Sequence, residues 1–202
     1  MKTLSLIFIG ILLLSCSKGE ENVSTTELIQ MENIENKLIV DIIYVLPSGG
    51  FYTNAMYKLD EVQFLNYLNE GYFHKYNIEL IQGESRDFIN DELFNLRDNR
   101  YKETEVFLDQ TASFHKKGKL SIFIIKRDNI LAIAGIGGED RVLITDKFLY
   151  TNTTAHEIGH ALGLSHVSEI DNIMSTKKNE RRFFKDIQLE LLKGRINQLS
   201  SF

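Results

Sequence analysis

One cysteine and one proline occur in 202 residues. A single thiol excludes any internal disulfide, and the lone proline, Pro47, leaves few places where a strand or helix must break. Positive charge is also short. The formal net charge is −5, and no dense basic stripe offsets it, which excludes the usual footprint of a nucleic-acid binder. The apolar run over residues 4–14 is too short to span a membrane as a mature helix. No internal repeat and no second folded domain is visible, and the length suits one domain with a sizeable core.

That apolar run follows Lys2 and ends in Leu13-Leu14-Ser15-Cys16, which resembles a bacterial lipobox. The reading is a lipoprotein signal peptide over residues 1–15, with Cys16 lipidated as the first mature residue. A plain secretory peptide with an incidental Cys16 is the alternative. Residues 16–35 then form the lipidated N-terminus and a polar tether, and residues 36–202 one folded domain. Ser17-Lys18-Gly19-Glu20-Glu21 resembles the acidic export tag of surface lipoproteins, or the start of a solvated linker. The expected location is the bacterial cell envelope, lipid-anchored at the outer membrane and open to surface exposure.

Within the domain, residues 37–46 are β-branched and closed by Pro47, predicting a buried first strand. Leu59, Val62, Leu65, Leu68 and Tyr72 predict an amphipathic helix over 58–75, followed by a short strand over 77–81. Residues 84–100 are polar and give no clear period. Val106, Phe107, Gln110 and Phe114 predict a further helix. Strands follow over 120–126, 130–136 and 141–145, then a helix over 151–163. Ile187, Leu191, Leu192, Ile196 and Leu199 predict a C-terminal helix. The class is α+β.

The chemistry concentrates in His156-Glu157-Ile158-Gly159-His160-Ala161-Leu162-Gly163-Leu164-Ser165-His166. On a helix His156 and His160 lie one turn apart on one face, so both can reach a single ion. Glu157 lies roughly 100° further round, placed to handle a metal-bound water without becoming a ligand. Gly163 can take φ > 0, letting the helix stop and the chain return with His166 as third ligand. Three protein nitrogens leave the fourth tetrahedral position open, as a catalytic zinc site requires. His74 and His115 read as ordinary surface or packing residues.

This stretch is HExxHxxGxxH in full, and it resembles the metzincin zinc metallopeptidases. Asp171-Asn172-Ile173-Met174-Ser175 resembles their Met-turn, and its short distance from His166 is most like the matrixin branch. The resemblance implies a metzincin-like fold: a twisted mixed sheet with long helices, a zinc helix, the Met-turn and a C-terminal helix. The helix before the third strand is extra to the minimal plan. It also implies a zinc-dependent endopeptidase acting on extracytoplasmic proteins or peptides, with one catalytic Zn2+ held by His156, His160 and His166. Glu157 would be general base and then acid, and Met174 an apolar floor under the histidines. An extended substrate would add to the edge strand over 130–136. Thr176 stands where some metzincins carry a tyrosine that serves as an extra ligand or oxyanion donor, so that role is absent.

Several readings stay open at this point. A non-catalytic zinc-containing surface lipoprotein and an exopeptidase are the rival functions. Gly135-Ile136-Gly137-Gly138-Glu139-Asp140 suits a tight turn, favoured over a structural Ca2+ site. Lys177, Lys178, Arg181 and Arg182 read as a solvated basic loop more readily than as a pocket wall selecting acidic side chains. With Cys16 the only cysteine, the cysteine latch that holds many relatives latent is missing.

Overall fold

Apolar runs without alternation form the centre of the sheet. β1 (Asn36–Leu46) and β3 (Leu120–Ile125) pair in parallel, and all six residues of β3 are buried. β2 (Ile78–Ile89) lies parallel on the other side of β1. β5 (Arg141–Thr145) is parallel to β3, and β4 (Gly135–Gly138) closes that edge antiparallel to β5. The order is β2-β1-β3-β5-β4, a mixed sheet as the metzincin resemblance implies. The computed structural model describes residues 34–97, 102–126, 134–177 and 180–202, so the signal peptide, Cys16 and nearly all of the tether lie outside the described residues. So do residues 130–133 of the predicted edge strand and Lys178.

Helices cover both faces, which is why the central strands are apolar throughout. Leu38, Val40, Ile42 and Leu46 face one core with α1 (Glu61–Leu68), α4 (Asn152–Ala161) and α5 (Asp186–Ser200). Ile43, Val45, Phe123 and Ile125 face a second core, closed by Leu93 of α2 (Asp91–Phe94) and Phe107 of α3 (Glu103–Thr111). The extra helix α3 therefore seals the second face of the sheet. Among the described residues, no helix is long and apolar enough to cross a membrane.

The polar stretch after residue 81 is strand, not a loop. β2 runs on to Ile89 because Asp41, fully buried in β1, accepts the Glu84 N–H at 2.8 Å and pairs with Arg86 at 3.4 Å and Lys119 at 3.3 Å. Gly83 makes room for that carboxylate, since a Cβ there would sit 2.4 Å from Asp41 Oδ1, and the ladder shifts register at this point. Charge pairing, invisible to a hydrophobic period, extends the strand.

The helix expected over 58–75 is broken into pieces. Asp60 caps α1 by accepting the Gln63 N–H at 3.0 Å, and a π turn (Asn69–Phe73) and a 3-10 turn (His74–Tyr76) follow. The extra residue of the π turn re-phases the face. Phe64 and Phe73 are buried, while Val62 is exposed. In α5 the buried stripe is Gln188, Leu192, Ile196 and Leu199, and Ile187 and Leu191 face outward.

Candidate metal centre

α4 begins where Thr151 caps it, its hydroxyl accepting the Thr153 N–H at 3.2 Å. It ends in a Schellman closure: the Leu164 N–H donates to Gly159 O at 2.8 Å and the Gly163 N–H to His160 O at 3.0 Å, with Gly163 at φ 95°. The returning chain then brings His166 back over the helix. Val167 donates to Met174 O at 3.1 Å, so the segment carrying His166 is laced to the Met-turn. Asn172 fixes that turn in place. Its side chain accepts the Met174 N–H at 2.8 Å and donates to Gln188 of α5 at 2.8 Å.

The three Nε2 atoms converge, at 3.1 Å for His156–His160, 3.2 Å for His156–His166 and 3.0 Å for His160–His166. Nitrogens about 2.1 Å from a tetrahedral zinc stand about 3.4 Å apart, close to what is found. The tautomers give an independent test of fit. His156 Nδ1–H donates to Ile173 O and His160 Nδ1–H to Leu164 O, both at 2.7 Å. Neutral rings that spend their proton on Nδ1 present bare lone pairs at Nε2. Two such lone pairs at 3.1 Å repel unless a cation lies between them. Burial pushes His156 down to about 3 against the Ile173 hydrogen bond, and burial lowers His160 as well. His156 and His160 are therefore neutral at physiological pH, as zinc requires. No other group of three or more His, Cys, Asp or Glu among the described residues could hold a metal ion.

Glu157 lines the same cleft of about 330 Å³ as the three histidines, together with Gly135, Ile136 and Gly137 of β4 and Glu103 and Thr104 of α3. Met174 is fully buried against the underside of α4: a Cβ on Gly159 would lie 2.3 Å from its sulfur. Gly159, with no side chain of its own, is what lets the Met174 sulfur approach the helix.

Other features escape the sequence reading. Gly135 and Gly137 are close-approach residues as well as flanking a turn. A Cβ on Gly135 would lie 2.6 Å from Glu157 Cγ, and one on Gly137 would lie 2.0 Å from Glu157 O. Glycines two apart in a strand, on one face, are the signal that could have revealed this. The turn itself is as favoured: Glu139 and Asp140 take positive φ, and their carboxylates are engaged by Arg141 and Arg195. The basic loop needs correction. Lys177 and Arg182 are exposed, but Arg181 is only 5% exposed, donating from Nε to Ser175 O at 2.8 Å with Nη2 3.3 Å from His156 Nε2. His115 bonds Ser121 at 3.0 Å in a packing role. Burial holds both ring nitrogens of His74 without a partner.

Comparison with known proteins agrees with this geometry. Residues 66–190 match the family model of the matrixins. The fold is similar to that of archaemetzincin from Methanopyrus kandleri, with TM-score 0.53 and 12% identity over 80% of this chain and 97% of that one. Metalloproteinase-II from Bacteroides fragilis aligns at TM-score 0.48 and 15% identity, over 79% of this chain and 53% of that one. No curated protein matches the chain in sequence. With a three-histidine zinc site on the expected helix and a family match over most of the domain, this chain belongs to the matrixin family and is a zinc metallopeptidase of the metzincin superfamily.

Proposed function

We propose that the chain is an endopeptidase acting on extracytoplasmic proteins or peptides, with Glu157 as the general base and acid. One observation carries the reading: Glu157 shares a single cleft with the three metal-binding histidines while lying on the next helical position from the first of them. Zinc bound there supplies Lewis acidity, bringing the pKa of a water to about 7 and polarising a carbonyl. The protein's own groups do the rest. β4 pairs with β5 on one side, and its outer edge can take an extended peptide by main-chain hydrogen bonds. Because Gly135 and Gly137 let β4 lie against α4, that peptide passes beside His160 and Glu157. Glu157 accepts a proton as water adds to the carbonyl carbon, then gives it to the amine nitrogen as the C–N bond breaks. No covalent bond to the enzyme forms.

The test uses the zinc-loaded protein and a library of peptides acetylated and amidated at their ends. Internal cleavage should be abolished by a chelator and fall at least about 10²-fold in Glu157→Ala, with zinc still bound. Turnover within a few-fold of wild type in that variant would sink the assignment of Glu157. Cleavage confined to peptides with a free terminus would replace endopeptidase by exopeptidase. Anchoring through Cys16 in the envelope is part of the same proposal and rests on residues 1–16 alone. Metabolic lipid labelling that persists in Cys16→Ala would refute it.

A further inference from the structure

We propose that Arg181 is the oxyanion donor of this peptidase, hydrogen-bonding the scissile carbonyl oxygen as it takes on charge. The inference rests on the peptidase reading of the site but not on the role given to Glu157. Thr176 occupies the place two residues after Met174, and no tyrosine can act from there.

Arg181 is not a loose surface cation. It is almost fully buried, and the backbone that follows it is pinned. Ser175 O holds its Nε–H, the next residue's N–H donates to Asp171 O at 2.7 Å, and Phe183 O accepts the Ile173 N–H at 2.8 Å. Its Nη2 therefore reaches His156 Nε2 from a fixed platform, at 3.3 Å. That nitrogen is the one His156 offers to the metal. Once the lone pair is engaged there, Nη2 loses its acceptor inside a buried site. A buried charged donor without an acceptor is costly, so the arrangement favours any anionic oxygen that arrives beside it.

Nη2 neighbours a metal-ligand nitrogen, which is why the oxygen assigned to it is the carbonyl oxygen held beside the three histidines. As water adds, the carbonyl π pair moves onto oxygen, and Arg181 donates a hydrogen bond to it without giving up its proton. Glu157, in the same cleft as the histidines, faces the opposite demand of accepting a proton. A guanidinium and a carboxylate beside one carbonyl divide the work between oxygen and water.

The experiment compares zinc-loaded wild type, Arg181→Met and Arg181→Lys. Removing an oxyanion donor costs about 10²- to 10³-fold in kcat with little change in KM. Calorimetric affinity for a phosphinic peptide, which carries tetrahedral anionic oxygens, should fall by the same factor in Arg181→Met. Affinity for an uncleaved peptide of the same sequence, measured in a Glu157→Gln background, should stay within about twofold, and zinc should remain bound. Arg181→Lys should recover part of both losses. If Arg181→Met does not fold, Arg181→Lys decides, and unchanged kcat and phosphinic affinity in it would overturn the proposal. Equal weakening of peptide and phosphinic peptide would also overturn it, in favour of a packing role. Loss confined to substrates with an acidic side chain would overturn it in favour of carboxylate selection. A failure of Glu157 leaves a separate mark: turnover survives Glu157→Gln while the Arg181 dependence of phosphinic affinity persists.

Discussion

Gly137→Ala should injure this enzyme far more than the same change one residue later. The added Cβ would lie 2.0 Å from Glu157 O and 2.9 Å from His160 Cβ. Ordinary contact needs about 3.5 Å, so the two backbones must separate by about 1.5 Å. The helix cannot yield, because α4 is packed into the core through Ala155, Ile158 and Ala161. β4 must move instead, since it is four residues long and joined to the sheet through β5. Overpacking of this kind costs about 1–3 kcal/mol. At about 2–4 °C per kcal/mol for a domain of this size, the melting temperature should fall by about 2–12 °C. The kinetic loss should be larger in proportion, because a misplacement of about 1 Å can cost about 10²-fold in rate. Gly138→Ala is the control. Its Cβ would meet Leu108 methyl carbons at 3.8 and 3.9 Å, an ordinary contact, and should change stability by less than about 0.5 kcal/mol. Thermal melts and kcat/KM on a blocked peptide measure both. If the two variants behave alike, β4 does not depend on close approach to α4 and the account of the cleft wall is wrong.

Met174→Ala should cost about 2–5 kcal/mol by opening a cavity under Gly159, while zinc still binds at one per chain. A melt within 1–2 °C of wild type, in the absence of compensating collapse, would count against the floor (about 2–4 °C per kcal/mol). The metal-free protein should lose stability as pH falls below neutrality. Folding holds His156 at about 3 against about 6.5 in the unfolded chain, so between those values the unfolded state binds the extra proton. The slope is at most about 1.4 kcal/mol per pH unit from His156, and His160, also lowered, acts in the same direction. Chelator-treated protein melted between pH 7.5 and 5 reads this directly, and a flat melting temperature would contradict the buried, neutral histidines.

How much of this was legible in the sequence depends on how local the cause is. The ligand set was readable because a helix turns His156 and His160 to one side by covalent geometry, and because Gly163 is the residue that reverses the chain. The strands β1, β3 and β5 were readable because burial on both faces leaves continuous apolar runs. β2 was cut short because its polar half is held by Asp41, Arg86 and Lys119, which are brought together only by the sheet. The same limit applies at the centre. Nothing near His156 in sequence announces that Ile173 O sets its tautomer, or that Arg181, 25 residues away, reaches its Nε2.

That division bears on how the site works. The local motif supplies the ligands and the Leu164 O that orients His160, but the group that orients His156 comes from the Met-turn, which is clamped to α5 through Asn172 and Gln188. Asn172 and Gln188 are buried, and the Asn172 side chain meets the Met174 N–H on one side and Gln188 on the other. Losing either would leave buried polar atoms without partners and loosen Ile173 O and Arg181 together. The C-terminal helix therefore acts on the metal centre by holding the turn that fixes its first histidine.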